Sequence, residues 1–169
     1  MSSHLIASSA HLASNRAPDL SEVEFGLMIA GHAFDRWTVR CMAAAGLPDL
    51  TATDVMVMHH VYHRQRGKKL ADICFTLNVE DTHIVNYSLK KLERLGVVRG
   101  ERNGKEVFYS ATDEGAAFIK RYTEIREQCL IDGLEAGAGA GVEFNRQLAK
   151  ALRALSGLYD QAARAATSL

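Results

Sequence analysis

The feature that most restricts the fold of this chain is one Asn-Gly pair, Asn103-Gly104, in a sequence otherwise dominated by helical patterns. The runs on either side of it, residues 97–102 and 105–110, contain several β-prone side chains. Asn-Gly between two such runs is the strongest short-range signal for a β-hairpin. We therefore predict strands over residues 97–102 and 105–110 that meet across Asn103-Gly104.

The rest of the chain predicts helices, because apolar residues recur at spacings of three and four. Ser21 and Glu24 form a capping box that predicts the start of the first helix. Thr51 or Thr53 suits the start of the second, and Thr112 caps a helix after the hairpin. The predicted helices cover about residues 21–45, 51–64, 68–77, 80–95, 112–132 and 142–166.

Two of these helices have clear predicted apolar faces, which we expect to pack against the core. The face of the fourth helix is formed by Ile84, Val85, Leu89, Leu92 and Leu95. The face of the helix after the hairpin is formed by Phe118, Tyr122, Ile125 and Cys129. A Gly/Ala-rich interruption from Gly133 to Gly141 then separates the last two helices, and we interpret residues 137–141 as a hinge.

The charge of the chain is zero in total but unevenly distributed. Twenty Lys and Arg residues balance twenty Asp and Glu residues. Residues 64–105, however, carry ten basic and five acidic side chains, and the remaining sequence has the opposite excess. A compact basic segment on an acidic scaffold suggests a polyanion-binding module, although chance clustering on a solvated surface is the alternative.

Composition excludes several other classes of protein. Three cysteines, none in a C-x-x-C pair, are too few for a disulfide framework. The first sixteen residues lack the apolar region of a signal peptide, and no apolar run reaches membrane-spanning length. We therefore expect a cytoplasmic protein. No Ser/His/Asp or Cys/His arrangement suggests an enzyme, and no motif implies a cofactor.

The predicted order of elements points to one motif. Two helices joined by a tight turn and followed by a hairpin form a winged helix-turn-helix, which places its second helix in the major groove of DNA. The basic segment covers this unit. Charge and predicted topology therefore point to the same unit. The predicted fold is mainly α with a small β-hairpin wing.

At this point the sequence resembles the MarR family of transcriptional regulators. The resemblance covers roughly residues 20–165 and is most specific over residues 77–98, which resemble the recognition helix and its exit into the wing, and over residues 112–115, which resemble the entry to the next helix. The wing tip, residues 102–105, is shorter than the family's usual loop and lacks its Asp-x-Arg motif.

The resemblance implies a homodimer that binds a pseudo-palindromic operator in double-stranded DNA. It divides the chain into a flexible N-terminal arm over residues 1–18, an N-terminal dimerisation helix over 19–50, a winged helix-turn-helix domain over 51–112 and C-terminal dimerisation helices over 113–169.

Candidate DNA contacts fall into two groups. We expect DNA contacts from the exposed face of the recognition helix, which carries Thr82, His83, Asn86, Tyr87 and Lys90, with Asn86, Thr82 and His83 placed to meet base edges. We expect phosphate or minor-groove contacts from the basic residues around it and from the wing tip, namely Lys68, Lys69, Arg99, Arg102, Asn103 and Lys105. Each could instead be a solvated surface side chain. Glu80 and Asp81 are interpreted as helix caps.

Family members often bind small aromatic or anionic effectors in a crevice beside the dimerisation helices. The resemblance implies such a pocket here, lined by Phe34, Trp37, Met58 and Tyr62, with His32, Arg36 or Arg40 holding an anion. Trp and Phe at helical spacing are more often core residues, so this alternative stays open.

One histidine cluster and one cysteine can each be given either a structural or a functional role. His59, His60 and His63 could bind a metal, but a structural or hydrogen-bonded role is favoured because no further ligand lies nearby in sequence. Cys41 could sense oxidants, but a buried packing role is favoured.

A winged helix used for protein–protein association is the alternative to DNA binding, motivated by Glu80, Asp81 and the short wing.

Overall fold

The computed structural model describes residues 16–136 and 141–169. Most of the predicted N-terminal arm and of the hinge over residues 137–141 therefore lies outside the described residues. The helices are α1 (Pro18–Ala44), α2 (Ala52–Tyr62), α3 (Leu70–Leu77), α4 (Thr82–Arg94), α5 (Asp113–Arg126), α6 (Asp132–Ala136) and α7 (Val142–Ala166). The strands are β1 (Val98–Asn103) and β2 (Glu106–Ala111). This confirms the predicted fold class, mainly α with one antiparallel hairpin.

The chain divides into two compact units, one ending at Ile125 and the other beginning at Arg126. The first unit contains α1 to α4, the hairpin and nearly all of α5. The second contains a π-helical turn (Glu127–Ile131), α6 and α7.

Helix α1 begins three residues earlier than predicted. Pro18 is its first residue and Ala17 precedes it with a φ of 53°, so Ser21 is not the N-cap and the predicted capping box is wrong. Proline suits the first helical position because its fixed φ is helical and its missing N–H has no intrahelical acceptor there. The helix ends at Ala44, and Gly46 follows with a φ of 105°.

The core of the first unit lies between α2, α3 and α4, the end of α1, and α5. Val55, Met58, Ile73, Leu89 and Leu92 are among its fully buried side chains. Two residues predicted on the inner face of α4, Ile84 and Leu95, are instead largely exposed. Likewise Cys129, predicted on the stripe of α5, is exposed beyond the end of that helix.

Helix α3 begins at Leu70 rather than Lys68, because the backbone of Lys68 is used elsewhere. The Lys68 N–H donates to the Tyr109 carbonyl and the Tyr109 N–H donates to the Lys68 carbonyl, both at 2.8 Å. This bridge ties the segment before α3 to β2 of the wing.

The hairpin forms at the predicted place, but its register differs by one residue. Asn103 pairs with Glu106, so Gly104 and Lys105 form the two-residue loop. The prediction that Asn103 and Gly104 form this loop is therefore wrong. Gly104 has a φ of 62°, which suits a turn that places glycine first.

The wing is joined to α5 by a cap and a close contact. The Thr112 hydroxyl donates to the Gly96 carbonyl at 2.7 Å and accepts from the Gly115 N–H at 3.1 Å, which confirms Thr112 as the cap. A Cβ at Gly115 would overlap the Val97 carbonyl oxygen.

In the second unit, α7 covers the predicted residues 142–166. The predicted interruption begins too early, because Gly133 lies within α6. Several large apolar side chains of α7 are exposed in the single chain, namely Val142, Phe144, Leu148, Leu152 and Leu158.

Candidate nucleic-acid interface

Helix α4 is positioned by its caps and by the turn before it. Asn78 adopts the left-handed conformation after α3, with a φ of 53°. The Asp81 side chain then accepts a hydrogen bond from the His83 N–H at 2.9 Å, which makes Asp81 the N-cap. Gly96, with a φ of 73°, follows the end of the helix. The segment from α3 to α4 therefore has the helix–turn–helix form that the sequence predicts.

The outer face of α4 carries the first group of residues predicted to contact DNA. Thr82, His83, Tyr87 and Lys90 are exposed, and Asn86 is half-buried. The inner side chains Val85, Ser88, Leu89 and Leu92 are buried. Ile84, at 48% exposure, adds an apolar group to this outer surface that the sequence placed in the core.

The wing carries the second predicted group. Arg99 pairs with Glu101, with Nε–Oε1 at 3.1 Å, and also lies 3.3 Å from the Ser110 hydroxyl. Within the described parts of the chain, Arg102 and Lys105 at the tip are exposed and form no ion pair. Asn103 is exposed beside them. The tip therefore presents two uncompensated positive charges.

The base of the wing approaches the end of α4 closely. A Cβ at Gly100 would meet the Glu93 carboxylate and the Tyr109 ring. Burial, and then the charge of Glu93, raises the pKa of Tyr109. Helix α4 and the wing are therefore in contact through Glu93, Gly100 and Tyr109.

Lys68 and Lys69 lie between α2 and α3, close to β2. Lys69 Nζ is 2.7 Å from Glu106 Oε2 and 5.4 Å from the centre of the Phe108 ring. Its charge is therefore partly compensated within the protein. The Lys68 backbone forms the bridge to Tyr109, and this bridge fixes the position from which the Lys68 side chain extends.

Sequence reasoning missed a buried polar group behind α4. Asp54 on α2 has a side-chain exposure of 2%, and Lys91 on α4 reaches it with Nζ–Oδ2 at 2.8 Å. Burial alone would raise the pKa of Asp54, but hydrogen bonds from Lys91, Ser88 and Thr51 outweigh it, so this pKa lies below its usual value. The only sequence signal was the Thr51-x-x-Asp54 spacing of a capping box, which says nothing about Lys91.

The residues predicted to line an effector pocket differ widely in burial. Met58 is completely buried in the core of the single chain. On α1, Trp37 is half-buried and the other predicted residues are exposed, namely His32, Phe34, Arg36 and Arg40. Tyr62 lines a cavity of about 250 Å³ together with Arg99, Ser110 and Thr112 at the base of the wing.

Of the histidine and cysteine residues singled out in the sequence, His59 and Cys41 lie where α1, α2 and α5 meet, whereas His60 is half-buried and His63 exposed. The His59 ring packs edge-on against the Tyr122 ring, with centroids 4.5 Å apart, and its buried Nε2 has no hydrogen-bond partner among the residues that the structure describes. Burial lowers the pKa of His59. Cys41 is buried, and its thiol donates to the Tyr122 carbonyl at 3.5 Å. Among the described residues, no three side chains of the metal-binding types form a cluster.

Comparison with known proteins identifies the domain and the fold. Residues 50–115 match a family described as a winged helix DNA-binding domain. No curated protein matches the sequence significantly. In the part of the chain that the structure describes, no helix is long and apolar enough to cross a membrane.

Solved structures with the same fold include three regulators. NMB1585, a MarR family regulator from Neisseria meningitidis, is 16% identical with a TM-score of 0.68, over 85% of this chain and 95% of that one. A mutant MarR from E. coli complexed with operator DNA is 17% identical with a TM-score of 0.66, over 84% and 99%. CouR from Rhodococcus jostii RHA1, bound to p-coumaroyl-CoA, is 15% identical with a TM-score of 0.62, over 79% and 91%. The chain therefore has the fold of the MarR family regulators.

Proposed function

We propose that this protein is a homodimeric transcriptional regulator of the MarR type that binds a pseudo-palindromic operator in double-stranded DNA. The observation that carries the proposal is the outer face of α4. It presents Thr82, His83, Tyr87 and Lys90 to solvent, and the tip of the wing that follows this helix carries Arg102 and Lys105, which are uncompensated within the described chain. A helix of this kind fits the major groove, and the basic tip suits phosphates or the minor groove.

The contacts divide by chemistry. Asn86 can read adenine through its side-chain amide, and Thr82 and His83 lie in the first turn, where base edges are met. Lys90, Arg102 and Lys105 supply charge to phosphates, and Lys68, Lys69, Arg99 and Asn103 are further candidates for phosphate or minor-groove contacts. Lys69 and Arg99 are expected to contribute less, because each already has an acidic partner.

Dimer formation is supported by apolar side chains that the single chain leaves uncovered. On α1, Phe34 is 54% exposed and Ile29 and Val23 are also exposed. Helix α7 exposes its own apolar stripe, including Phe144 and Leu148. Exposed apolar stripes on long helices mark surfaces that associate with a partner. The N-terminal helix and residues 113–169 are therefore proposed as dimerisation helices that flank the winged domain.

A small-molecule effector is the finer part of the proposal. CouR, which shares the fold, has been solved with p-coumaroyl-CoA. In this chain, Trp37 and Tyr62 are half-buried, and His32, Arg36 and Arg40 are exposed on the same helix as Trp37. An effector bound there would act by favouring one spacing of the two recognition helices over another. We propose no catalytic activity, and a cytoplasmic location follows from access to the chromosome.

The test is selection of duplex DNA from a random-sequence pool, followed by binding of the selected duplex over a salt series. The proposal expects enrichment of an inverted repeat and a binding constant that falls steeply with salt. Enrichment of no sequence, or binding that salt leaves unchanged, would contradict it and favour the alternative, a winged helix that binds another protein.

A further inference from the structure

We propose that Asp54, Ser88 and Lys91, here called the Asp54 clamp, fix the position of the recognition helix and so determine sequence discrimination. This inference rests on the proposed function, because it concerns how α4 is held against DNA. None of the three side chains belongs to the surface assigned to DNA contact.

The clamp is made of close, buried contacts. Asp54 Oδ2 accepts from Lys91 Nζ at 2.8 Å and from the Thr51 N–H at 2.8 Å. The buried Ser88 hydroxyl lies near Asp54 and contributes to the lowered pKa of its carboxyl group. Since the Asp54 side chain is 2% exposed and that of Lys91 is 22% exposed, water competes little with these bonds.

The clamp joins α4 to two other parts of the chain. Asp54 belongs to the first turn of α2. Lys91 Nζ also donates to the Asp49 carbonyl at 2.6 Å, and Asp49 lies in the loop between α1 and α2 with a φ of 64°. One ammonium group therefore connects the recognition helix to both α2 and the loop that leads from α1.

The position of the clamp on α4 explains why it affects orientation. Ser88 and Lys91 are three residues apart and lie on the same side of the helix, facing α2. Tyr87 and Lys90, the residues just before each of them, point outward. The remaining inner contacts of α4 are aliphatic and non-directional, such as Val85, Leu89 and Leu92. The directional bonds of the clamp therefore specify the rotation and tilt of the helix.

Lys90 and Lys91 are adjacent in sequence but have opposite roles. Lys91 has its charge committed to Asp54, whereas Lys90 is exposed and forms no ion pair in the described chain. Contact of Lys90 with a phosphate should release a counterion from the DNA, whereas Lys91 should release none. This difference separates a positioning residue from a phosphate contact.

The experiment compares three variants with the wild type, using the duplex that the wild type selects and a scrambled duplex of equal length. Lys91→Met alone would leave a buried carboxylate without its cation, so the main variant is the double exchange Asp54→Asn/Lys91→Met, which is neutral at this site. Lys90→Met is the matched control, and Lys91→Arg tests rescue by a residue of the same charge.

We expect the double variant to lose roughly tenfold in its preference for the selected over the scrambled duplex, the size of one good base contact. Its salt dependence should stay that of the wild type. Lys90→Met should weaken both duplexes equally and lower the salt slope by about one. Lys91→Arg should retain most of the preference. An unchanged preference in the folded double variant, or a lowered salt slope, would overturn the clamp.

A second measurement does not depend on DNA. Amide hydrogen exchange of the free protein should be faster in α4 of the double variant than in the wild type, while α5 keeps its protection. Unchanged protection of α4 would overturn the clamp even if the wild type selected no DNA, whereas failure of selection alone would count against the proposed function.

Discussion

Asn86 lies on α4 where the helix surface turns from the core to solvent. It is half-buried, between the buried Val85 and the exposed Tyr87. A short amide side chain at such a position is held in few conformations, which favours directional recognition of a base edge. The assignment of Asn86 to base contact remains a prediction, and it can be tested directly.

Asn86→Ala should weaken binding to the selected duplex by about 1–3 kcal/mol and relax the preference at one base pair. The thermal midpoint should change little, because this amide makes no hydrogen bond on which the core depends. Binding is measured by fluorescence anisotropy on duplexes changed at one position at a time. Lys120→Ala, on the exposed surface of α5, is the control and should bind as the wild type does. Equal loss for every sequence would show that Asn86 does not read a base.

His59 makes stability depend on pH. Because burial lowers its pKa in the folded protein, the unfolded chain takes up a proton at about pH 6.5 while the folded protein does not. The free energy of unfolding should therefore be highest above pH 6.5 and fall as the pH drops below it. The pKa of His60 is also lowered, by burial and then by the charge of Lys68, so it adds to the same trend.

Urea denaturation at pH 7.5 and 5.5 measures this effect. In His59→Phe, which keeps an aromatic ring against Tyr122, the loss of stability between the two pH values should be smaller than in the wild type. His83→Gln, an exchange at an exposed position of α4, should leave the loss as it is. An equal loss in His59→Phe would assign the pH dependence to other groups.

At the scale of the element, the junction between the wing and α5 depends on one glycine. Gly115 is buried, and a Cβ there would overlap the Val97 carbonyl oxygen. The Thr112 hydroxyl bonds the backbones of both Gly96 and Gly115, so the segments that meet at this junction have little freedom to move apart. The added methyl group therefore has to displace either β1 or α5.

Gly115→Ala should lower the free energy of unfolding by about 1–3 kcal/mol, the usual cost of overpacking, in spite of the higher helix propensity of alanine. Gly133→Ala in α6 is the matched control. An added Cβ there meets no atom within 4 Å, so the same exchange should be neutral or stabilising. Both are measured by urea denaturation at neutral pH, and equal effects would refute the steric argument.

Elements were predictable where the signal was local. The Thr112 cap, the left-handed Asn78 and the bounds of α7 each follow from a few neighbouring residues. The errors occurred where a partner distant in sequence, or the exact geometry of a turn, decided the outcome. Lys68 lies outside α3 because its backbone forms hydrogen bonds with Tyr109. The hairpin register differs from the prediction because the turn places glycine first.

At the scale of the whole molecule, the exposed apolar stripe of α7 is the surface that we propose holds two copies of the chain together. Leu148→Glu places a charge in the middle of that stripe, which we propose to be buried between two copies. Lys150→Glu puts the same side chain on the opposite, polar side of the helix and is the matched control.

Leu148→Glu should convert the dimer to a monomer at micromolar concentration and abolish tight binding to an inverted repeat. Lys150→Glu should remain dimeric. Analytical ultracentrifugation gives the mass, and binding to the selected duplex gives the consequence. A Leu148→Glu protein that is still dimeric would exclude this part of α7 from the dimer interface.

By itself, the sequence determined the helices, the place of the hairpin and the concentration of basic charge on the winged unit. These follow from periodicity, caps and turn residues, which act over a few positions. Only the tertiary structure decided which charges are free. Asp54 and Lys91 are 37 residues apart in the chain and 2.8 Å apart in space, so the segment's formal excess of five includes a lysine that is already neutralised inside the protein. The physical reason is that pairing, burial and register are set by contacts between elements, and local sequence patterns do not encode those contacts.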